Sequence, residues 1–321
     1  MLSNSLNNFV EKCFKGMKIN YIDVGSSLPL NRFALFFKKQ FNFIFFEPNF
    51  KEFLVLKKFL QKHFVSFKVF NSAISDMNKV NFYIYNRYKL SSIHKLDHKY
   101  KDIYRKIKLN KKQKFKCIKL QKVIKKKNNR DVFFLKVDTQ GHSLPVIRSA
   151  KKRINCLACL IVEVEKIPAY KNSFSSSDID LFLKKNNFFE LGCINDYRWS
   201  RNFKNKKYRY FGKELSHTED RIYIKNIFTT SVNKFDLKLI ILICIIFDYL
   251  DFAAFLIEKF HKKFEKNFIT LTKKEISNKL ILNEKFIRSN LQLFYKKKIS
   301  ISYLLQILDN FSEVFSKKYV F

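Results

Sequence analysis

The segment Tyr21–Ser27 constrains the fold most, because its residues predict a buried strand followed by a sharp turn at Gly25. A second apolar strand, Phe43–Phe46, ends at Glu47 and Pro48, and the residues between the two strands predict a helix over Arg32–Gln40. A carboxylate at the end of a second strand can accept hydrogen bonds from both hydroxyls of a ribose, and a glycine turn lets a nucleoside approach the backbone. The spacing therefore predicts a strand-helix-strand unit that binds an adenosine-type cofactor.

The residues after Gly25 narrow the choice of cofactor. Gly25 is followed by Ser26, Ser27, Leu28 and Pro29, so the glycines of a dinucleotide-binding G-x-G-x-x-G turn and of a P-loop are missing. S-adenosylmethionine carries no phosphate and tolerates a turn with fewer glycines. The turn therefore favours S-adenosylmethionine over a dinucleotide or a nucleoside triphosphate.

Strands and helices alternate from residue 19 to residue 225, which predicts an α/β fold with a mostly parallel sheet and helices on both faces. The segment Asp97–Lys116 is rich in lysine and is expected to be a mobile helix or loop. The predicted strands are Ile19–Val24, Phe43–Phe46, Ser66–Phe70, Val80–Tyr85, Val132–Val137, Leu157–Val164 and Arg221–Lys225. The predicted helices are Arg32–Gln40, Phe50–Gln61, Leu144–Arg153 and Ile179–Asn186.

From about residue 230 the pattern becomes helical, which divides the chain into a Rossmann-like domain at 1–230 and an all-helical extension at 231–321. Leu239–Phe247 is a run of nine apolar residues. A membrane span needs about 20, so the run predicts a buried helix of the extension or of a dimer interface. A helix lying on the membrane surface remains the alternative.

The formal net charge of +37 admits nucleic acid as a partner, but lysine is frequent throughout the chain, and the bias is interpreted as compositional drift. The six cysteines include Cys156 and Cys159 inside an apolar run, which indicates reduced, buried thiols rather than a metal site. With no apolar leader at the N-terminus, we expect a cytoplasmic location, with contact to the inner face of the membrane left open.

The segment Phe133–His142 carries the strongest chemical signal. An apolar strand delivers Lys136 and Asp138 to the carboxyl edge of the sheet, where ligands of such folds bind. Glu163 ends a neighbouring predicted strand, so three acids, Glu47, Asp138 and Glu163, are expected at one edge. The aromatic and basic stretch Tyr197–Phe211 could stack RNA bases, cover a substrate as a lid, or be a loop.

Taken in order, these motifs resemble the FkbM-type methyltransferases over residues 19 to 225. The resemblance is carried by Tyr21–Ser26, Phe46–Asn49, Asn71–Asp76, Ser91-Ser92, Leu135–His142 and Ile161–Glu165. It implies a seven-stranded Rossmann-like fold, S-adenosylmethionine as cofactor, and methyl transfer to a hydroxyl of a sugar, a glycolipid or a secondary metabolite.

The resemblance also implies roles for individual residues. The implied cofactor-binding residues are Asp23, Gly25, Ser26, Glu47, Pro48, Asn49, Asn71, Ala73, Asp76 and Ser92. Lys136, Asp138 and His142 would face the acceptor, with Asp138 or His142 as the base, or with Asp138 holding a divalent cation that acidifies the hydroxyl. The chain departs from the family pattern at Ser27-Leu28-Pro29 and at Ser143, where family members commonly carry an acid.

Three functions stay open at this point. The leading one is an O-methyltransferase that acts on a sugar, glycan, glycolipid or other small molecule. Nucleic-acid methylation is favoured by charge alone, with no specific nucleic acid indicated. The third is a non-catalytic interaction module that assembles a homodimer or a membrane-associated complex through its C-terminal helices.

Overall fold

The computed structural model describes residues 4–100, 107–199 and 215–295. In this part of the chain the strands form a seven-stranded sheet, ordered β3-β2-β1-β7-β8-β10-β9, and a small sheet, ordered β4-β6-β5. The strands are β1 Lys18–Val24, β2 Asn42–Phe46, β3 Phe67–Phe70, β4 Ala73–Ile74, β5 Lys79–Tyr85, β6 Leu109–Ile118, β7 Asp131–Val137, β8 Leu157–Glu165, β9 Phe188–Trp199 and β10 Leu215–Lys225.

The large sheet is parallel from β3 through β8, and β10 runs antiparallel to both β8 and β9. The strand order reverses beside β1, and this is where open α/β sheets form a crevice at the carboxyl ends of their strands. The Rossmann-like architecture predicted from the sequence is confirmed.

The helices are α1 Asn4–Cys13, α2 Arg32–Phe36, α3 Phe50–His63, α4 Leu120–Val123, α5 Ser143–Arg148, α6 Ser176–Lys185, α7 Lys234–Ile246, α8 Leu250–Lys259 and α9 Lys266–Tyr295. Side-chain caps fix several of their starts: Asn49 accepts from the amide of Lys51 at the start of α3, and Ser175 forms a reciprocal capping box with Asp178 before α6. The helix predicted over Leu144–Arg153 ends earlier, at Arg148, and a 3₁₀ segment, Lys151–Cys156, completes the connection to β8.

The lysine-rich segment was predicted wrongly. Residues 109–118 form strand β6, which pairs antiparallel with β5. Gln113, Phe115 and Cys117 are half-buried while the lysines between them are exposed. This alternation is that of a strand with one covered face, and the many lysines obscured it in the sequence.

Strand β9 was not predicted, and β10 begins six residues before the predicted Arg221. β9 lies at the edge of the sheet and exposes many of its side chains, so it lacks the apolar run that identifies the central strands. Of the aromatic and basic stretch, Tyr197–Trp199 ends β9, and residues 200–214 lie outside the described residues.

Helix α7 is buried from Asp236 to Ile246 and shares one hydrophobic core with residues of the large sheet, such as Phe134, Ala158 and Ile222. The buried helix predicted around Leu239–Phe247 is therefore confirmed, and its burial within the chain excludes the alternative of a helix on the membrane surface. Among the helices of the described ranges, none has the length and hydropathy to cross a membrane. The division into two domains at residue 230 stays a prediction.

Candidate active site

A cavity of about 1140 Å³ opens at the carboxyl edge of the large sheet. Its lining comes from the ends of β1, β2, β7 and β8, from the segment Tyr88–Ile93, and from β9 and β10. Ligand sites commonly measure about 300–1,000 Å³, so the cavity has room for a nucleoside cofactor and part of a second molecule. It lies at the place where the fold predicts a ligand.

The turn at Gly25 brings β1 against the end of β7. Gly25 has φ +85°, and a β-carbon there would lie 1.8 Å from the carbonyl oxygen of Asp138. The amides of Gly25 and Ser26 both donate to the carbonyl of Phe46 at 3.0 Å, and Ser26 Oγ donates to the carbonyl of Asp23 at 2.8 Å. Glycine is therefore required at this position by the protein's own backbone.

Glu47 follows β2 and lines the cavity, although its residue is only 7 % exposed. Its Oε1 accepts from the amide of Asn49 at 2.6 Å, and Asn71 Nδ2 donates to the carbonyls of Glu47 and Pro48 at 2.9 and 2.8 Å. Burial raises the pKa of Glu47 to about 8, and the bond from Asn49 offsets only part of this rise. Hydroxyl donors from a ligand would supply the solvation that the buried carboxylate lacks.

Lys136 connects the acids of two neighbouring strands. Parallel pairing places it opposite Asp23, and its Nζ lies 3.7 Å from Asp23 Oδ1 and 3.2 Å from Asp138 Oδ2. Among the described residues Asp23 Oδ1 has no hydrogen-bond partner although the side chain is buried. Burial raises the pKa of Asp23, against the opposing effect of Lys136. Asp23 is thus a buried acceptor at the cavity wall that can take a further donor or cation.

Gln140 holds two carboxyl groups together. Its Nε2 donates to Asp138 Oδ1 at 3.1 Å and to both oxygens of Glu163 at 2.9 Å, while its Oε1 accepts from Tyr170 at 3.0 Å. Gln140 has φ +51°, a conformation that is costly for a residue with a side chain, and Gly141 follows at φ +84°. The turn after β7 therefore aims the Gln140 amide into the cavity.

The pKa values of Asp138 and Glu163 are shifted in opposite directions by this arrangement. Burial raises the pKa of Asp138, but Lys136 and hydrogen bonds from Gln140 and Glu163 outweigh it, and the pKa lies below its usual value. Burial and the neighbouring charge of Asp138 raise the pKa of Glu163 well above its usual range. The pKa of Asp138 is therefore held low beside a Glu163 whose pKa is held high, and the Asp138 side chain is 34 % exposed towards the cavity.

Strands β9 and β10 add a wall that the sequence did not predict. Asp220 lies opposite Glu163 in the β8–β10 register, and its Oδ2 accepts from Asn195 Nδ2 at 2.7 Å and from the hydroxyl of Tyr197 at 3.3 Å. Burial and then the charge of Asp138 raise the pKa of Asp220. Antiparallel pairing brings these residues to the site. Tyr197 begins the aromatic and basic stretch noted in the sequence, whereas no local motif marks Asn195 or Asp220 there.

His142 does not face the acceptor side of the cavity, so its predicted role as a base there is wrong. It is fully buried, with Nε2 at 3.0 Å from Ser75 Oγ and Nδ1 at 2.9 Å from His94 Nε2. Burial lowers its pKa to about 3. The ring ties the turn after β7 to the end of β4 and to His94, which is a structural role.

The other predicted site residues divide into two groups. Asp23, Gly25, Glu47, Pro48, Asn49, Ala73, Lys136 and Asp138 line the cavity. Ser26, Asn71, Ser92 and Asp76 are not among the described lining residues. Ser26 and Asn71 fix turns, Ser92 Oγ donates to the carbonyl of Gln140 at 2.6 Å, and Asp76 is exposed. Ser143, at the position where members of the resembled family commonly carry an acid, donates to the carbonyl of Glu163 at 3.1 Å.

The balance of acidic and basic residues in the cavity is opposite to that of the whole chain. Its described lining contains seven acids and three bases, whereas the whole chain has 27 acids and 64 bases. The acids are Asp23, Glu47, Glu52, Asp138, Glu163, Asp196 and Asp220. In the three described ranges, no group of three or more His, Cys, Asp or Glu side chains is arranged to hold a metal ion.

Comparison with known proteins identifies the family of the chain. The family model for the methyltransferase FkbM domain matches residues 23–190, just over half of the chain and all of the strand ends from β1 to β8. The chain therefore belongs to the FkbM methyltransferase family. No significant match was found among curated protein sequences.

Solved structures show distant likeness. A protein of the NADB-Rossmann superfamily from Streptococcus agalactiae is 12% identical with a TM-score of 0.33, covering 87% of this chain and 97% of its own. M. capricolum TrmK in complex with S-adenosyl-homocysteine is 12% identical with a TM-score of 0.34, covering 86% and 98%. An S-adenosylmethionine-dependent methyltransferase from Clostridium acetobutylicum is 11% identical with a TM-score of 0.31, covering 70% and 92%.

Proposed function

We propose that this protein is an S-adenosylmethionine-dependent O-methyltransferase that methylates a hydroxyl of an uncharged sugar, glycan or glycolipid. Membership of the FkbM family supports methyl transfer. The observation that carries the rest is the acid-lined cavity, with Glu47 buried at the end of β2 and with Oδ1 of the buried Asp23 lacking a hydrogen bond among the described residues.

The cofactor half of the proposal rests on the chemistry of these acids. Glu47 would accept the two ribose hydroxyls, and Asp23 would face the positively charged end of the cofactor. A cationic sulfonium and ammonium suit a cavity in which acids outnumber bases. When bound, S-adenosylmethionine supplies an activated methyl group and leaves as S-adenosylhomocysteine.

The acceptor half rests on Asp138. An alcohol is a poor nucleophile until its proton is removed, and Asp138 is ionised, exposed to the cavity and fixed by Lys136 and Gln140. We assign it as the base that takes the hydroxyl proton. Asp220, Asn195 and Tyr197 provide a carboxylate, an amide and a phenol that can position further hydroxyls of the acceptor.

The same charge distribution argues against an anionic acceptor. A nucleotide within a polynucleotide would bring its phosphates close to the acids of the cavity, and like charges at short range disfavour binding. Nucleic-acid methylation is therefore the weaker candidate. The proposed location in the cytoplasm and assembly through the C-terminal helices stay predictions.

The test is to offer the full chain S-adenosylmethionine labelled in its methyl group, together with separate fractions of neutral glycans and glycolipids, acidic glycans, and RNA. We expect label in the neutral fraction. Label in RNA alone would overturn the acceptor class. No label anywhere, together with no heat on titration with S-adenosylhomocysteine, would favour a non-catalytic module.

A further inference from the structure

Basic residues are concentrated in one segment of the chain. Residues 103–130 contain 13 lysines or arginines and no aspartate or glutamate, which is 46% basic against 20% for the whole chain. Compositional drift spreads charge evenly and does not exclude acids from 28 consecutive positions. The even distribution of basic residues inferred from the overall composition is therefore wrong for residues 103–130.

Strand pairing converts part of this segment into an ordered surface. Lys112, Lys114 and Lys116 alternate along β6 and so share one face, and Lys79 on β5 lies directly opposite Lys116. All four side chains are exposed. Successive lysines on β6 are about 6.8 Å apart along the strand. We call these four residues the lysine ladder.

The lysine ladder destabilises the strand pair in which it lies, and the folding of the chain does not explain its presence. Like charges directly opposite one another destabilise a strand pair, and Lys79 and Lys116 are such a pair. Within the described ranges no ion pair is formed by any lysine of the ladder. The opposite face of β5 is covered, with Val80 and Phe82 buried and Phe82 lining the cavity. The ladder is thus the outer face of a wall of the active site.

We propose that the lysine ladder docks the protein onto an anionic phospholipid membrane. Basic clusters are attracted to anionic bilayers, each lysine strengthening binding by about fivefold (about 1 kcal/mol per charge). Two exposed apolar side chains flank the ladder: Met77, two residues before Lys79, is 45 % exposed, and Leu109, at the far end of the strand pair, is 44 % exposed. Both can enter the interfacial region of a bilayer.

A single-stranded nucleic acid fits this face less well. Such ligands are held by aromatic platforms between basic residues. The aromatic side chain that the described face offers is Tyr83, which is half-buried, with Lys112 Nζ lying 5.6 Å from the centre of its ring. A membrane needs only the charge and the flanking apolar groups, and it can present a neutral lipid-linked acceptor beside the acid-lined cavity.

The test is co-sedimentation of the full chain with phosphatidylcholine vesicles that contain or lack phosphatidylserine. We expect binding to the vesicles with phosphatidylserine, and loss of it when salt is raised from about 0.1 M to about 1 M, since the screening length falls from about 10 Å to about 3 Å. Reversing the ladder should weaken binding by more than about a hundredfold. That variant carries Lys79→Glu, Lys112→Glu, Lys114→Glu and Lys116→Glu.

A control variant changes the net charge equally on exposed positions of α3 and β3, and it should keep most of the binding. It carries Lys57→Glu, Lys58→Glu, Lys62→Glu and Lys68→Glu. Equal loss in both variants would show that net charge alone acts and would overturn the proposal. So would wild-type protein that ignores the vesicles but binds single-stranded RNA. Binding of S-adenosylhomocysteine, unchanged in both variants, verifies folding and separates this outcome from that of the proposed function.

Discussion

The α-carbon of Gly25 faces the carbonyl of Asp138 so closely that a β-carbon on Gly25 would lie 1.8 Å from that oxygen. This contact joins the turn after β1, where we propose that the cofactor binds, to the proposed base that follows β7. The amide of Asp138 also donates to the carbonyl of Val24 at 2.9 Å, so the two strand ends form one unit.

Gly25→Ala should therefore destabilise the protein strongly. The β-carbon meets backbone, which cannot rotate away, and alanine is also strained at φ +85°. We expect the free energy of unfolding to fall by about 3 kcal/mol or more, measured by urea denaturation. Gly16→Ala is the matched control, because Gly16 has φ +77° but its nearest neighbour would be 3.9 Å away. Equal losses in the two variants would contradict the importance of the close approach.

Asp138→Asn should abolish methyl transfer and leave cofactor binding nearly unchanged. The amide keeps the shape of the side chain but cannot take a proton, and general-base catalysis contributes about 10²–10⁴-fold to rates. Turnover with labelled cofactor and titration with S-adenosylhomocysteine measure the two effects separately. Asp76→Asn changes an exposed acid outside the described lining and should alter neither. Full turnover in Asp138→Asn would remove Asp138 from the chemistry.

Cofactor affinity should increase with pH through about 8. The pKa of Glu47 in the free protein is about 8, so at lower pH the carboxyl is mostly protonated and must lose its proton before it can accept both ribose hydroxyls. The dissociation constant of S-adenosylhomocysteine should fall by up to about tenfold per pH unit between pH 6 and 8, because Glu47 releases one proton when the ligand binds. In Glu47→Gln this pH dependence of the dissociation constant should vanish. The same pH profile in the variant and in the wild type would exclude Glu47 from the site.

The contribution of Glu47 to the stability of the free protein should fall as pH rises, whereas the cofactor affinity increases. The folded-state pKa of Glu47 lies above its ordinary value of 4.5, so its contribution to stability is complete below about pH 4.5 and is lost as pH rises towards 8. Glu47→Gln should be less sensitive to pH over this range in denaturant titrations. A steeper dependence in the variant would contradict the buried, protonated carboxyl.

His142 and His94 should make the protein sensitive to acid. Burial lowers the pKa of both rings, to about 3 for His142, so the folded state keeps them neutral while the unfolded chain takes up protons below about pH 6.5. Stability should fall by up to about 1.4 kcal/mol per pH unit per histidine below that pH. His142→Gln should reduce this slope, and His98→Gln, at an exposed position, should not. Equal slopes in all three proteins would refute the neutral pair.

The sequence predicted the residues that lie at the ends of parallel strands. Asp23, Glu47, Lys136 and Asp138 each follow or end an apolar run, and parallel pairing brings such positions to one edge. Their approximate placement needed only the order of the strands. This is why the part of the cavity formed by the ends of β1, β2 and β7 was predicted.

The part of the cavity that we assign to the acceptor could not be predicted in the same way. Asp220, Asn195 and Tyr197 come from antiparallel strands, of which β9 was not predicted, and their meeting depends on a register with several shifts. Gln140 appeared in a motif, but its role follows from its positive φ, which no pattern of residue types reveals. The role of His142 was predicted wrongly, because the sequence does not show whether a histidine in the turn after β7 faces the cavity or is buried in the protein.

The most direct measurement is calorimetric titration of S-adenosylhomocysteine into the wild-type protein, Glu47→Ala and Glu52→Ala at one pH above 8. Glu52 is the matched control, an acid of α3 that lines the same cavity without following a strand. We expect wild-type binding, a loss of about 10- to 150-fold in Glu47→Ala for a charged acceptor contributing about 1.5–3 kcal/mol, and little change in Glu52→Ala. No binding by the wild type, or equal affinity in Glu47→Ala, would contradict a nucleoside site at the end of β2.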